Sequence, residues 1–213
     1  MQEILPGVWH WAAPNPKIGG ALVCSCWLDE AGVLIDPLLP PEGLDWFARR
    51  PLPPSAVVLS NRHHYRDSAA VHEHFGCPVY APAAGMHEFT HGEPVSGYAP
   101  GAALPGGLEA FAVGALSGDE GGLQLPGSDA IWLADTVVRS CVDPDGEIGF
   151  VPDFLMDDPQ ATKRGLLEAF ARILERYGFQ HLLLAHGLPL IGNGRAELER
   201  LVREGGRTAQ NAF

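Results

Sequence analysis

The chain has 213 residues, 46% apolar and 19% charged, which is enough length and apolar content to bury a globular core. Its 14 basic and 26 acidic residues give a formal charge of −12, a field that repels nucleic acid and anionic membranes. With no visible signal peptide and no apolar run of roughly 18 residues, we expect a cytoplasmic protein that acts on a small molecule. The sequence leaves open whether the chain forms a homodimer.

In chain order, the first half begins with strands and then alternates strands with helices. A strand at residues 8–11 precedes a hairpin, whose arms at residues 21–28 and 33–36 flank a glycine-containing turn. The patterns that follow predict a helix, a strand, a helix and a strand, at residues 40–47, 56–59, 67–75 and 78–81.

The second half repeats this order. Glycine and proline at residues 97–107 predict a loop, and strands are predicted at residues 108–113, 122–125 and 130–133. Asp158 as N-cap and Pro159 at the first helical position predict a helix to about residue 177. A buried strand at residues 181–185, a short helix at residues 195–203 and a loose tail complete the chain. No linker divides it, so we predict a single domain over residues 1–213.

The polar residues of interest come directly after strands, where side chains can converge on one cleft. Four such segments occur: Asp36 after the hairpin, the histidine-rich turn at residues 60–66, Asp135 and His186.

In their order and spacing these four segments resemble the motifs of the metallo-β-lactamase superfamily. The resemblance covers essentially the whole chain. It implies an α/β (α+β) protein, a four-layer αββα sandwich of two mixed β-sheets flanked by helices, with the site at one edge between the sheets. It also implies one or two zinc or iron ions that serve the hydrolysis of an ester, amide, thioester or phosphodiester.

The chain departs from the metal-binding pattern of that superfamily at several positions. Aligned with the family's turn, only His63 stands where a histidine ligand is expected. Other residues occupy the remaining ligand positions: Asn61, Tyr65, Arg66 and, further along the chain, Ala115.

The remaining ligand set consists of His63, Asp135 and His186, enough for one zinc or iron(II) ion. Arg66 brings a permanent positive charge, which repels a divalent cation and favours an ion pair with Asp135. We therefore predict at most one metal ion, and a metal-free polar network of the same residues is equally compatible with the sequence. In an active protein, His63, His64 and Tyr65 are the candidates for catalysis and proton transfer.

Two further interpretations remain open. The chain can be a non-catalytic domain in which Asn61 and Arg66 bind a carboxylate or phosphate ligand. Alternatively, His87 and His91 match the His-Glu-x-x-His pattern of zinc peptidases, although glycine and proline nearby leave little room for a helix.

The four cysteines form no Cys-x-x-Cys pair, which predicts reduced, buried thiols. They are Cys24, Cys26, Cys77 and Cys141.

Overall fold

The computed structural model describes residues 1–206, and its larger sheet contains seven strands in sequential order. They are β1 (Gln2–Leu5), β2 (Val8–Asn15), β3 (Ala21–Leu28), β4 (Val33–Ile35), β5 (Ala56–Val58), β6 (Val79–Pro82) and β7 (Val95–Tyr98). The first four strands are antiparallel and the later ones pair in parallel, so the sheet is mixed.

The second sheet has four strands in the order β13-β10-β9-β8, and it too is mixed because β10 pairs in parallel with β13. Its strands are β8 (Glu109–Ala112), β9 (Gly121–Leu125), β10 (Ala130–Leu133) and β13 (His181–Leu184). Between β10 and β13 lies a two-stranded ribbon of β11 (Val137–Val138) and β12 (Gly149–Phe150).

Four α-helices cover the outer faces of the two sheets. They are α1 (Leu44–Ala48), α2 (Ser68–Phe75), α3 (Pro159–Arg176) and α4 (Gly194–Arg203). Helix α3 begins as predicted, because the side chain of Asp158 accepts a hydrogen bond from the backbone N–H of Ala161 and Pro159 is its first residue.

Three apolar clusters separate the layers. The cluster between the sheets includes Ile35, Val58 and Trp132, and the other two lie under the helices on each outer face. This arrangement confirms the predicted four-layer αββα sandwich of two mixed sheets.

The structure differs from the sequence prediction at several elements. Strand β1 was not predicted, and β7 occupies the start of the segment that was assigned to a loop. A Cβ at Gly97 would lie 3.1 Å from the Met86 side chain, a tight contact that glycine avoids, whereas glycine in a sequence pattern favours a loop over a strand. The helix predicted at residues 40–47 forms only as Leu44–Ala48, since a turn occupies the residues before it.

Within residues 1–206, no helix has the length and apolar character needed to cross a membrane. Residues 207–213, part of the tail that was predicted to be loose, lie outside the described residues.

Candidate functional site

Four loops that follow strands meet at one edge of the sandwich. Asp36 follows β4, the turn at residues 60–66 follows β5, Asp135 follows β10 and His186 follows β13. A cleft of about 1060 Å³ opens at this edge, and Asp135 and His186 are among its lining residues. The side chains that were predicted from strand ends are therefore brought to one place by both sheets.

The centre of the cleft is an aspartate shared by two histidines. Oδ1 of Asp135 lies 2.9 Å from Nε2 of His64 and 2.9 Å from Nε2 of His186. One donor atom from each of these three residues lies within 4.8 Å of the other two. Both histidines are buried, whereas the Asp135 side chain is 23% exposed and so is reached from the cleft.

A buried hydrogen-bond network fixes the ring of His64 from behind. Its Nδ1 lies 2.9 Å from Oδ2 of Asp36, and the same oxygen accepts a hydrogen bond of 2.8 Å from Nε1 of Trp132. Ser60 donates to Asp36 through both its backbone N–H and its hydroxyl. Because Nδ1 is held by a carboxylate, Nε2 is the nitrogen that faces Asp135.

The charges of this network are set by competition between burial and neighbouring groups. Burial and the charge of Arg66 lower the pKa of His64, but Asp36 and Asp135 outweigh them and raise it to about 9. Burial lowers the pKa of His186 below its usual value, with Asp135 acting in the opposite direction. Burial opposes ionisation of Asp135, but the two histidines hold the pKa of its carboxyl well below the usual range. At neutral pH, His64 is therefore charged and His186 neutral.

The prediction that His63 joins Asp135 and His186 is wrong in its geometry, because His64 takes that place. Residues Arg62–Tyr65 form a 3-10 turn that begins at Asn61, whose Oδ1 accepts a hydrogen bond of 2.9 Å from the backbone N–H of His63. In this turn the side chain of His63 is exposed at the cleft, while that of His64 is directed inward. Sequence alignment by residue count could not reveal this one-residue change.

Tyr65, the third predicted catalytic candidate, is half-buried in the wall of the cleft. Its ring packs against Phe89, with ring centroids 5.7 Å apart. Ala115, which stands at the position of a further expected histidine, has a left-handed backbone with φ of 63° and offers no ligand atom.

Asn61 connects Asp135 to a carboxylate that the sequence reasoning missed. Its Nδ2 donates to Oδ2 of Asp135 at 2.8 Å and to Oε1 of Glu120 at 2.9 Å. Glu120 is buried in the cleft and accepts a second hydrogen bond, 3.2 Å long, from the backbone N–H of Asp135. Burial and the charge of Asp135 raise the pKa of Glu120 to about 8. In the sequence, Glu120 could have been found from its position directly before strand β9, because β9 pairs with β10, the strand that leads to Asp135.

Arg66 does not pair with Asp135 as predicted. Its Nη1 donates instead to the backbone carbonyl oxygens of Cys24 at 2.6 Å and of Asp36 at 2.7 Å. The guanidinium is buried in the cleft wall, where Nε and Nη2 make no hydrogen bond to the described residues. A left-handed backbone, with φ of 40°, places the side chain there.

The His-Glu-x-x-His segment does not have the structure of a peptidase site. His87 lies in a 3-10 turn, Ala83–Glu88, and His91 lies beyond the end of that turn. Both side chains are exposed at the rim of the cleft. An α-helix, which would place the two imidazoles on one face, is not formed by these residues, so the structure lacks the arrangement that the zinc peptidase interpretation requires.

Comparison of the sequence with protein-family models gives no match. Comparison with curated proteins also gives no match.

Solved structures of similar fold do exist. The DIM-1 metallo-β-lactamase is 17% identical with a TM-score of 0.72, over 96% of this chain and 95% of its own. The metallo-β-lactamase family protein TTHA1429 from Thermus thermophilus is 18% identical with a TM-score of 0.64, over 95% of this chain and 80% of its own. TTHA1623, solved in a di-iron-bound form, is 21% identical with a TM-score of 0.61, over 82% of this chain and 92% of its own.

Together with the two-sheet sandwich, these similarities establish that the chain has the metallo-β-lactamase fold, as the sequence motifs predicted. At these levels of identity the likeness concerns the fold alone.

Proposed function

We propose that this chain is a hydrolase that holds a single zinc or iron ion and acts on an ester, thioester or amide of a small molecule. One observation carries the proposal: His64, Asp135 and His186 line the cleft, and one nitrogen or oxygen atom of each lies within 4.8 Å of the other two. Two imidazoles and a carboxylate form a ligand set that suits zinc or iron(II) and leaves positions for water and substrate.

The residues of the cleft fit one ion and not two. His64 has the carboxylate partner on its second nitrogen that metal-binding histidines usually have, in this case Asp36. The other positions expected to bind metal hold the amide of Asn61, the phenol of Tyr65, the cation of Arg66 and the methyl group of Ala115. None of these four side chains offers a carboxylate or imidazole ligand, so a second ion has no complete set.

When bound, the ion would act as a Lewis acid toward a substrate carbonyl. The chain's own residues would orient the reacting groups. Asn61 holds Oδ2 of Asp135 and so leaves Oδ1 directed toward the two histidines. His63 and Tyr65, at the wall of the cleft, are placed to exchange protons with solvent and substrate.

A second candidate function rests on Arg66. Two of its buried nitrogens, Nε and Nη2, have no hydrogen-bond partner among residues 1–206; they lie on the same side of the guanidinium and match the two oxygens of a carboxylate or phosphate. Moreover, Oδ1 of Asp135 lies 2.9 Å from each histidine Nε2, so ion pairing between these residues can stabilise the cluster without an ion. The chain would then be a metal-free binding domain for a small anion.

Metal analysis of adjacent histidine variants tests the proposal. The purified protein, His64→Ala and His63→Ala would each be incubated with zinc or iron(II), separated from free metal and analysed for metal content. We expect about one ion per chain in the wild type and in His63→Ala, because His63 is exposed, and loss of the ion in His64→Ala. Asp135→Asn should lose it too. Metal-dependent cleavage of chromogenic esters and thioesters should be lost in His64→Ala and Asp135→Asn, and should be slower than in the wild type but still present in His63→Ala, which keeps the ion and lacks one proton-exchanging group.

Two ions per chain, or equal metal content in the two histidine variants, would contradict the single-ion site. A wild type that retains no ion but binds phosphate or acetate in calorimetry, with binding lost in Arg66→Gln, would establish the anion-binding domain instead.

A further inference from the structure

We propose that Cys24 and Cys141 are a peroxide-reactive thiol pair that closes to an intramolecular disulfide beside the cleft. Their sulfur atoms lie 3.8 Å apart, although the residues are 117 positions apart in the sequence. This inference does not depend on the proposed metal site, because it concerns two side chains outside the ligand set.

The two cysteines are brought together by the contact between the two halves of the sandwich. Cys24 lies on β3, whereas Cys141 lies in the loop that follows β11. The loop is held against β3, since the Cys141 thiol donates to the carbonyl oxygen of Leu22 at 3.4 Å. A disulfide bond is about 2 Å long, so the sulfurs have to approach by about 2 Å, which side-chain rotation can provide.

The pair combines an accessible thiol with a buried one. Cys141 is partly exposed and is the thiol that an oxidant can reach, whereas Cys24 is fully buried behind it. Cys26 and Cys77 are also buried, and within the described residues neither is hydrogen-bonded to another cysteine. An accessible thiol next to a resolving thiol is the arrangement of redox-sensitive cysteines.

The surroundings favour the thiolate of Cys141. The contact with the Cys24 sulfur lowers the pKa of the Cys141 thiol despite its partial burial, and the charge of Arg66 acts in the same direction. Arg66 is close because its Nη1 is bonded to the carbonyl oxygen of Cys24. Thiolates rather than thiols react with peroxide, so the first attack falls on Cys141.

The reaction takes place in two balanced steps. The Cys141 thiolate attacks one oxygen of hydrogen peroxide, so that an S–O bond forms, the O–O bond breaks and hydroxide leaves. The Cys24 sulfur then attacks the sulfur of the Cys141 sulfenic acid, an S–S bond forms, and the departing hydroxide takes up the Cys24 proton as water. Overall, two thiols are oxidised and one peroxide is reduced to two waters; an added dithiol reverses the change.

Oxidation would also alter contacts next to the cleft. The Cys24 thiol donates to the carbonyl oxygen of Gly187 at 3.2 Å, and this bond disappears when the thiol hydrogen is lost. Gly187 directly follows His186, so the disulfide changes the support of one side chain of the cleft.

The test uses the full chain without added metal or substrate. The reduced protein and its Cys24→Ser, Cys141→Ser and Cys77→Ser variants would be treated with hydrogen peroxide at increasing ratios. Free thiols would be counted after denaturation, and peptides from an unreduced digest analysed by mass spectrometry. Circular dichroism would establish that each variant is folded.

We expect the wild type and Cys77→Ser to lose two thiols and to yield a peptide that joins Cys24 to Cys141, with both changes reversed by dithiothreitol. Cys24→Ser should instead accumulate a sulfenic acid at Cys141 that reacts with dimedone. Retention of all thiols at peroxide levels that oxidise free cysteine would overturn the proposal. So would loss of thiols by crosslinking between chains, or thiol loss in Cys141→Ser equal to that of the wild type.

Discussion

Asp36 and His64 form a buried ion pair, with Oδ2 of the aspartate 2.9 Å from Nδ1 of the histidine. The two residues follow neighbouring parallel strands, β4 and β5, whose carboxyl ends lie at the same edge of the sheet. The pair directs Nε2 of His64 toward Asp135. The orientation of the His64 ring in the cleft therefore depends on Asp36, which does not itself line the cleft.

Replacement of Asp36 by asparagine should destabilise the fold. Asparagine accepts the left-handed backbone of this position, where φ is 47°, but it removes the negative charge opposite His64. Because the buried charge of His64 then keeps Asp135 as a partner but loses Asp36, the free energy of unfolding should fall by up to about 3 kcal/mol, as measured by urea denaturation. Asp157→Asn, an exposed aspartate of the same cleft, is the control and should shift stability by less than about 0.5 kcal/mol. Equal losses of stability in Asp36→Asn and Asp157→Asn would contradict a special contribution of the buried pair.

Arg66→Gln should bind zinc more tightly than the wild type. The cation at position 66 lies close enough to His64 and His186 to influence the pKa of each, and it repels a divalent ion held by them. With the positive charge removed, the dissociation constant should fall by on the order of tenfold or more, as measured by competition with a fluorescent chelator. Arg62→Gln is the matched control, since Arg62 lies at the cleft but forms an ion pair with Asp119. A weaker or unchanged affinity in Arg66→Gln would contradict repulsion as the reason for a reduced metal site.

Gly187→Ala should disturb the segment that carries His186. The backbone φ of Gly187 is 141°, and an added Cβ would lie 2.6 Å from Cβ of Arg139 and 2.7 Å from its carbonyl oxygen. Backbone strain alone costs about 1–3 kcal/mol, and the steric clash adds to it, so the melting temperature and the metal content should both fall. Gly118→Ala, where a Cβ meets nothing within 4 Å, should leave both unchanged. A stable Gly187→Ala protein with full metal content would refute this expectation.

The free energy of unfolding should decrease as the pH falls from 6.5 to about 4, because in this range His10 is protonated in the unfolded chain but neutral in the folded protein. His10 is buried between the sheets, and burial lowers its pKa from 6.5 to about 4. The folded protein therefore binds fewer protons than the unfolded chain between these two values. The contribution of neutral His10 is fully present above about pH 6.5 and is lost progressively toward about pH 4, up to about 3 kcal/mol.

Chemical denaturation at a series of pH values checks this expectation. The His10→Gln variant keeps a hydrogen-bond donor but does not titrate, so its stability should change less than that of the wild type over this range. His74→Gln, at an exposed position, should follow the wild type. Parallel curves for the wild type and His10→Gln would exclude His10 as the cause.

The order of the strands and the residues at their ends were predictable because apolar runs and motif spacing are local properties of the chain. Asp135 and His186 were placed correctly in this way, as was the N-cap of α3 at Asp158. The choice between His63 and His64 was not predictable, because it depends on how the 3-10 turn after Asn61 orients consecutive side chains.

Contacts between segments that are distant along the chain could not be predicted from the sequence either. Glu120 is 59 positions from Asn61, and nothing local marks it as the hydrogen-bond partner of that amide. Arg66 was paired with Asp135 on charge alone, whereas in the fold its Nη1 donates to two backbone carbonyl oxygens instead.

The side chains at the centre of the cleft come from both sheets, and this has a thermodynamic consequence. His64 belongs to a loop of the seven-stranded sheet, and Asp135 and His186 belong to loops of the four-stranded sheet. Any ligand that spans them bridges the two sheets and binds only when they are docked. Ligand binding in the cleft and packing of the two sheets against each other are therefore linked by mass action. A ligand that binds tightly would also stabilise the packed sandwich against separation of its sheets.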